Sequence, residues 1–243
     1  MIYLYTDFGY SGPYVGLMKS VLSSQYPDSP VIDLMHDAPR FDPMASAYLL
    51  ASIISYLPEQ ALVLGVVDPG VGDEQRRPII VKADQRWFIG PDNGLFNVIV
   101  KRAEHVSMWE ITWRPETMSK SFHGRDLFAP VTAMIAKGDM PESELIDINS
   151  HTFSDWDNDL AKIIYIDHYG NCMTGIRAET VSVDSHIMIN GQSLSRSRTF
   201  SDVEQGEAFW YENSLGLIEV AVNQGSASDA LKIKLGEHVS ITN

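Results

Sequence analysis

The sequence predicts an α/β N-terminal domain with a central, mostly parallel sheet, followed by a smaller, all-β, barrel-like C-terminal domain. Up to about residue 140, short apolar runs alternate with amphipathic stretches, which is the pattern of repeated βα units. Aspartate and glycine cluster after the apolar runs, as expected where parallel strands end at one edge of a sheet. Beyond a polar stretch, the pattern changes to short strands separated by turns.

The first part of the chain supplies the strands and helices of this sheet. Residues 2–5 form an apolar run of strand length, and apolar residues at helical spacing follow from Tyr14 to Leu22. Residues 61–67 are almost continuously apolar, which is typical of a central strand covered on both faces. The other expected elements are strands at residues 78–82 and 87–90, a helix at residues 95–102, and a helix at residues 127–137 that is capped by Asp126 and ended by Gly138.

A polar segment separates the two parts of the chain. Residues 151–159 contain four Asp or Asn and two aromatic residues without periodicity, which suits a linker. We therefore predict an α/β domain over residues 1–150, a linker over 151–160 and a β domain over 161–243. In the second domain, strands are expected at residues 162–166, 186–189, 192–197, 208–211, 217–222, 230–235 and 238–242, with a hairpin turn at Asn190-Gly191.

The composition restricts the class of partner. The 32 acidic and 18 basic residues give a formal charge of −14, which repels nucleic acid phosphates and anionic membranes. We therefore expect a small-molecule partner, with no nucleic acid and no membrane. The longest apolar stretch, residues 48–57, is shorter than the ~20 residues of a spanning helix. One cysteine, Cys172, and the lack of a leader pattern at the start predict a cytoplasmic protein.

Five short segments place reactive residues beside glycines at the ends of apolar runs. Loops on a rigid sheet are where binding and catalytic groups usually lie, so the pattern predicts an active site assembled from loops. The segments are T-D-F-G at Thr6, V-V-D-P-G-V-G at Val66, P-D-N-G at Pro91, F-H-G-R-D at Phe122 and N-S-L-G at Asn213.

Three residues in these segments are candidates for chemistry. Asp7 ends the first strand, where a carboxylate can accept hydrogen bonds from a ribose diol, although a turn or capping Asp fits equally well. Asp68 precedes a proline and two glycines, whose compact turn lets a ligand approach closely. His123 precedes a predicted helix and would face a crevice there, although isolated histidines are usually structural. The glycine spacing does not match a phosphate-binding fingerprint, and no zinc motif is present.

Taken in order along almost the whole chain, the segments resemble one family, the S-adenosyl-L-methionine hydroxide adenosyltransferases, which are related to bacterial fluorinase and chlorinase. D-H-Y-G-N at Asp167 and G-S-A at Gly225 complete the match. The resemblance implies attack of a water-derived hydroxide on the ribose C5′ of S-adenosyl-L-methionine, giving adenosine and L-methionine without a cofactor or metal. It also implies a homotrimer, with substrate between the N-terminal domain of one subunit and the C-terminal domain of its neighbour.

The resemblance assigns roles to individual residues. Asp68, Arg76 and His123 would form a triad that activates water. For substrate binding, it implies Asp7 at the ribose hydroxyls and Phe41 against the nucleoside, and it includes Asn93 without a specified contact. Asp167 and Asn171 would meet the methionine amino and carboxylate groups with Ser214 beside them, and the backbone of Ser226 and Ala227 would face adenine.

Two positions depart from the family pattern. The segment after Gly72 is one residue longer than is usual in the family, so either Arg76 or Arg77 could be the arginine of the triad. Gly175 follows Thr174 where the family usually has Asn, which affects contacts near the methionine end.

The sequence alone is also compatible with three other functions. The first is a halogenase that uses chloride or fluoride as the nucleophile, although an anionic Asp68 would repel a halide. The second is a noncatalytic module that binds S-adenosylmethionine or adenosine. The third is a metal-dependent phosphoesterase with Asp7, Asp68, Asp92, Asn93 and His123 as ligands.

Overall fold

The computed structural model describes residues 1–148 and 156–242. The chain divides into two compact units, the first formed by Met1–Ala47 with Ser55–Trp156 and the second by Tyr48–Ile54 with Asp157–Asn243. Residues 151–155 of the predicted linker lie outside the described residues, so the domain limits remain a prediction. Within the described residues, no helix has the length and apolarity needed to cross a bilayer.

The first unit is built on a seven-stranded sheet with the strand order β2-β1-β3-β5-β4-β6-β7. Five strands run in the same direction, and β4 and β7 run in the opposite one. The predicted α/β class with a mostly parallel sheet is therefore confirmed. The strands are β1 (Ile2–Thr6), β2 (Val31–Met35), β3 (Leu62–Val66), β4 (Pro78–Ala83), β5 (Arg86–Pro91), β6 (Val106–Ile111) and β7 (Ser143–Leu145).

Apolar side chains of two helices cover the middle of this sheet. Leu4 of β1 and Leu64 of β3 are buried in one cluster with Met18, Leu22 and Val131. Fully burying a side chain of this size contributes about 1.5–3 kcal/mol, so the cluster fixes the ends of both strands. The helices are α1 (Tyr14–Gln25), α2 (Pro43–Ile53), which crosses from the first unit to the second after Ala47, α3 (Asn97–Arg102) and α4 (Ala129–Lys137).

The helix predicted over residues 127–137 begins differently in the structure. A π-helical turn, Gly124–Phe128, comes before α4, which itself starts at Ala129. The predicted end is confirmed, because Gly138 adopts the left-handed conformation with φ 93°. Such π turns occur frequently at functional sites, and this one follows His123 directly.

Asp126 does not cap this helix, so that prediction is wrong. The residue lies inside the π turn, where its carboxylate binds the Arg125 guanidinium at 2.6 and 2.8 Å and accepts the Ser119 N–H at 2.8 Å. The hydrogen bond from Arg125 is the main reason that the pKa of Asp126 is lowered. Asp126 therefore forms an ion pair with its neighbour Arg125 instead of a helix cap.

The second unit consists of two antiparallel sheets, which confirms the predicted all-β class. The larger sheet has the order β12-β13-β9-β8 and the smaller one β11-β10-β14. The strands are β8 (Leu160–Ile166), β9 (Cys172–Arg177), β10 (His186–Ile189), β11 (Gln192–Leu194), β12 (Ala208–Glu212), β13 (Leu217–Val222) and β14 (Ser240–Thr242).

The predicted hairpin turn lies between β10 and β11. Asn190 and Gly191 both have positive φ angles, 49° and 75°, as a two-residue hairpin turn of type I′ requires. The turn sets the register in which Ile189 pairs with Gln192.

The strand predicted over residues 230–235 is wrong. The short helix α5 (Ala227–Ala230) ends there, and Ser226 caps it by accepting the Asp229 N–H at 3.2 Å. Apolar residues in this segment imitate the alternation of a strand, but the cap at Ser226 starts a helical turn instead.

Gly175 lies where β9 approaches β8 closely. A Cβ atom added at Gly175 would lie 2.6 Å from the Leu160 Cβ and 2.9 Å from the Leu160 carbonyl oxygen. An asparagine at this position would therefore require β8 to shift. The departure from the family pattern fits the spacing of these two strands.

We expect Gly175→Ala to lower the free energy of unfolding by about 1–3 kcal/mol, because backbone atoms of Leu160 must move. Urea titration followed by circular dichroism measures the change. Gly16 in α1 is the control, since nothing lies within 4 Å of its added Cβ and Gly16→Ala should stabilise the helix by up to about 1 kcal/mol. A Gly175→Ala variant as stable as the wild type would contradict the close approach.

Candidate active site

Loops of the first unit meet around one cavity of about 700 Å³. Thr6 and Val66 are paired in the parallel register of β1 and β3, so the residues that follow each strand emerge side by side. We call this space the aromatic cavity; the residues in its wall include Asp7, Phe8, Tyr14, Leu17, Phe41, Asp68, Phe122, His123 and Phe128. Four of the predicted site residues are thus gathered here.

Three aromatic rings form a continuous wall of this cavity. Phe8, Tyr14 and Phe122 contact one another edge to face, with centroids 5.3–6.0 Å apart. Apolar walls with a few placed polar groups are typical of sites for small organic ligands. Sequence reasoning did not assign these rings to the site, although Phe8 and Phe122 lie inside the T-D-F-G and F-H-G-R-D segments.

Asp7 and Phe41 are joined in the same wall. The Asp7 carboxylate accepts the Phe41 N–H at 3.1 Å, and Phe41 has an unusual positive φ of 57°. Burial raises the pKa of Asp7, and the nearby Asp68 carboxylate raises it further, against the lowering effect of the Phe41 hydrogen bond. The hydrogen bond links the two residues, and Phe41, which is 74% exposed, lines the cavity.

Asp68 and Arg76 form an ion pair beside the cavity. The Arg76 Nη1 donates to Asp68 Oδ1, which also accepts the Gly70 N–H at 3.2 Å. The Asp68 side chain is only 6% exposed and that of Arg76 25%. A Cβ at Gly70 would lie 2.5 Å from Arg76 Nη1, so the glycine allows the guanidinium to lie against the turn.

Arg77 has a different partner. Its Nη2 and Nε donate to Asp92 Oδ2 at 2.7 and 3.1 Å. Of the two arginines that compete for the triad, the structure therefore pairs Arg76 with Asp68. The longer segment after Gly72 does not displace Arg76 from this pairing.

His123 lines the same cavity as Asp68 and immediately precedes the π turn. Its side chain is half-buried, and the following residue, Gly124, is fully enclosed. A Cβ at Gly124 would lie 3.2 Å from the Met18 sulfur, so tight packing on α1 holds the start of the turn in place.

Asn93 has a supporting position. Its Nδ2 donates to the Val67 carbonyl at 2.7 Å, and its Oδ1 accepts the Leu95 N–H at 3.3 Å. Asn93 is not among the residues that line the aromatic cavity; it holds the backbone just before Asp68. Its predicted contact with substrate stays a prediction.

The second unit has its own cavity, of about 630 Å³, lined by Asp167, Tyr169, Asn171 and Tyr211 among others. Asp167 accepts the backbone N–H groups of Tyr169 and Asn171 and the Asn171 side-chain amide, each at 2.9 Å. A carboxylate held in this way beside aromatic rings suits an ammonium group.

The other three predicted residues of this unit, Ser214, Ser226 and Ala227, are not among the residues that line its cavity. The Ser226 hydroxyl packs against the Asp167–Asn171 turn, where a Cβ at Gly170 would lie 2.1 Å from it. The Ala227 side chain is completely buried in the core of the unit. Ser214 lies in the turn after β12 and is not among the residues that line the cavity.

Glu219 is a site-supporting residue that sequence reasoning missed. Its side chain, 2% exposed, accepts the Tyr211 hydroxyl at 2.5 Å and the Asn213 amide at 2.8 Å. Burial raises the pKa of Glu219. The available signal was an acid inside the apolar run of residues 217–222.

Two of the five ligands of the metal-dependent alternative, Asp92 and Asn93, have other partners. Asp92 pairs with Arg77, and the Asn93 side chain binds backbone. Among residues 1–148 and 156–242, no group of three or more His, Cys, Asp or Glu side chains has the arrangement of a metal site.

The fold and cavities define a protein with an α/β unit and a β unit, each presenting a polar cavity with aromatic walls. The chain belongs to the S-adenosyl-L-methionine hydroxide adenosyltransferase family, whose N-terminal domain matches residues 2–145 and whose C-terminal domain matches residues 161–240.

Individual proteins match along nearly the whole chain. The (R)-S-adenosyl-L-methionine hydrolase of Thermus thermophilus is 36% identical, over 99% of this chain and 98% of its own. The crystal structure of an uncharacterized conserved protein from Thermotoga maritima superposes with a TM-score of 0.89 at 28% identity, covering 100% of both chains. The fluorinase of Nocardia brasiliensis is 23% identical, over 97% of this chain and 94% of its own.

Proposed function

We propose that this protein hydrolyses S-adenosyl-L-methionine to adenosine and L-methionine by attack of water on the ribose C5′. The observation that carries the proposal is the ion pair between Asp68 and Arg76, whose Asp68 carboxylate lines the aromatic cavity together with His123. The likeness to a named (R)-S-adenosyl-L-methionine hydrolase over almost its full length supports the same reaction.

The reaction makes a specific demand on the site. Sulfur leaves as a neutral thioether, so the leaving group needs no acid, and the difficulty is to activate water and hold it in line with the C5′–S bond. Asp68 or His123 accepts the water proton as C5′ is attacked, and Arg76 stabilises the hydroxide character of the oxygen. Asp68 and Arg76 lie in the loop between β3 and β4, and His123 directly precedes the π turn.

The other predicted residues bind substrate in this proposal. Asp7 accepts the ribose hydroxyls with the carboxylate oxygens that its bond to Phe41 orients. In the second unit, Asp167 and Asn171 take the methionine amino and carboxylate groups. Ser214 assists at the methionine end, and the backbone at Ser226 and Ala227 faces adenine. Asn93, which holds the backbone just before Asp68, is the last of the proposed substrate-binding residues.

A pH profile tests the role of Asp7. Its pKa lies above the ordinary value of 3.8, mainly through burial, and only the ionised form accepts hydrogen bonds from both ribose hydroxyls. We expect the profile of kcat/KM to contain an acid limb at this raised pKa, where protonation of Asp7 lowers kcat/KM by about tenfold per pH unit. Asp7→Asn should lower kcat/KM about 10–100-fold at neutral pH and abolish this limb, through the loss of charged hydrogen bonds.

Stability provides the control for Asp7→Asn. Because the folded-state pKa is raised, the protonated carboxyl favours folding, and this contribution is lost as pH rises through the folded pKa. The neutral Asn should therefore not lower the free energy of unfolding at pH 7. An Asp7→Asn variant with wild-type kcat/KM would remove the ribose contact from the account.

Product analysis distinguishes the proposed function from its alternatives. S-adenosylmethionine is incubated with the purified protein, excess chloride and a chelator, and the products are separated by liquid chromatography. We expect equal amounts of adenosine and methionine. Formation of 5′-chloro-5′-deoxyadenosine would identify a halogenase. Intact substrate with ligand-induced stabilisation would identify a binding module, and activity on phosphoesters that the chelator abolishes would identify a phosphoesterase.

We also propose that the protein is a cytoplasmic homotrimer, as the family resemblance implies. Native mass spectrometry at micromolar concentration measures the assembly, and a monomeric mass under conditions that support turnover would contradict it.

A further inference from the structure

A second cavity of the first unit meets the aromatic cavity. It has a volume of about 350 Å³, and residues of two loops, 70–77 and 114–120, form most of its wall. We call it the charged cavity, since its lining includes Arg76, Arg77, Arg114 and Lys120 together with Asp73 and Glu74.

The two cavities share the reacting groups. Asp68, His123 and Phe128 line both of them, whereas Arg76 lines only the charged cavity. Asp68 and His123 therefore lie at the boundary between the aromatic cavity and the charged cavity. The guanidinium that pairs with Asp68 faces the charged side.

The charged cavity has an outer and an inner end. Exposed residues, among them Glu74 and Lys120, lie at its mouth, while Leu127 and Phe128 are each 2% exposed at its inner end. A volume of 350 Å³ can hold about twelve waters at ~30 Å³ each, and charged walls favour hydration of such a space. The volume and lining therefore suit an inlet for water that ends at Asp68 and His123.

We propose that the charged cavity supplies the nucleophilic water and removes its proton while substrate fills the aromatic cavity, an inference that rests on the proposed hydrolysis. Each turnover consumes one water. Its oxygen bonds to C5′, the C5′–S bond breaks, and the electron pair leaves on the methionine sulfur. The released proton passes to Asp68 or His123 and then to water in the inlet. Overall, the sulfonium substrate and one water give two neutral products and one proton.

A bulky substitution tests the inlet without touching the triad. Of the two cavities, Met118 lines only the charged one, and it is 38% exposed. A tryptophan ring at this position should therefore reduce the volume of the charged cavity with little effect on folding. We expect Met118→Trp to lower kcat about tenfold, with KM and the Kd of adenosine changed less than about twofold. Met140→Trp, at a methionine that is 43% exposed and lines neither cavity, should leave all three constants unchanged.

Leu17→Trp is the contrasting variant. Leu17 lines the aromatic cavity alone, so we expect this substitution to raise KM and the Kd of adenosine. Met118→Trp with a wild-type kcat would overturn the inlet while leaving the proposed hydrolysis intact. A raised Kd with unchanged kcat would show that the charged cavity holds part of the substrate. A wild-type protein that forms no adenosine would instead refute the hydrolysis itself.

A structural measurement tests the inlet independently of turnover. In a high-resolution crystal structure of the wild type with adenosine, we expect ordered waters from the mouth near Lys120 to the Asp68 carboxylate. A cavity filled by side chains, or by added methionine, would contradict the proposal. If the Met118→Trp variant does not fold, the crystal structure of the wild type still tests the inlet.

Discussion

Replacement of His123 by alanine is expected to reduce kcat about 10²–10⁴-fold, because it removes a group that accepts the water proton. The nucleoside contacts of Asp7 and the aromatic wall stay, so the Kd of adenosine should change little. Steady-state kinetics and calorimetric titration measure the two constants. The separation of a large kcat effect from a small binding effect is the signature of a group that acts in the transition state.

His105→Ala is the matched control, since His105 is exposed and lines neither cavity of the first unit. It should retain wild-type kcat. Added imidazole should restore part of the activity of the His123→Ala variant by entering the space that the ring leaves. Unchanged turnover in the His123→Ala variant would remove His123 from the mechanism.

The second large loss of kcat is expected at only one of two neighbouring arginines, Arg76 and Arg77. Arg76 pairs with Asp68, and Arg77 pairs with Asp92. We expect Arg76→Gln to lower kcat about 10²–10³-fold, because the charge that stabilises the developing hydroxide is lost and Asp68 is left unpaired. Arg77→Gln should change kcat less than about threefold and lower the free energy of unfolding by about 1 kcal/mol.

The same pair of variants can reverse the assignment. If Arg77→Gln abolished turnover while Arg76→Gln did not, the longer segment after Gly72 would have moved the catalytic guanidinium by one position in the working enzyme. Thermal unfolding of both variants shows whether either loss of activity follows from a loss of folded protein.

Much of the fold was accessible from periodicity. The near-continuous apolar run over residues 61–67 contains the buried central strand β3 (Leu62–Val66). The Asn190-Gly191 turn forms because both residues tolerate positive φ. Parallel pairing of β1 and β3 then brings Asp7 and Asp68 together, as expected from strands that end at one edge.

Other features depend on contacts that no local pattern encodes. The aromatic wall joins Phe8 and Tyr14 to Phe122, which is more than a hundred residues away, and only the packed sheet brings the rings together. Whether Arg76 or Arg77 reaches Asp68 depends on which side of the turn each side chain leaves. The π turn before α4 likewise follows from tertiary packing rather than from helix propensity.

The two erroneous predictions have a common cause. Asp126 was expected to cap a helix, and residues 230–235 were expected to form a strand, from local residue preference alone. In the folded chain Arg125 and the Ser119 N–H bind the Asp126 carboxylate, and Ser226 begins a helical turn. Side-chain hydrogen bonds outweighed weak local propensities in both places.

Mass spectrometry of the products formed in ¹⁸O-labelled water shows which carbon atom of the substrate the water attacks. Attack of water on C5′ predicts adenosine with one ¹⁸O atom at its 5′-oxygen and unlabelled methionine. Labelled homoserine with 5′-methylthioadenosine, or adenosine without label, would show that water does not attack C5′ and would contradict the account.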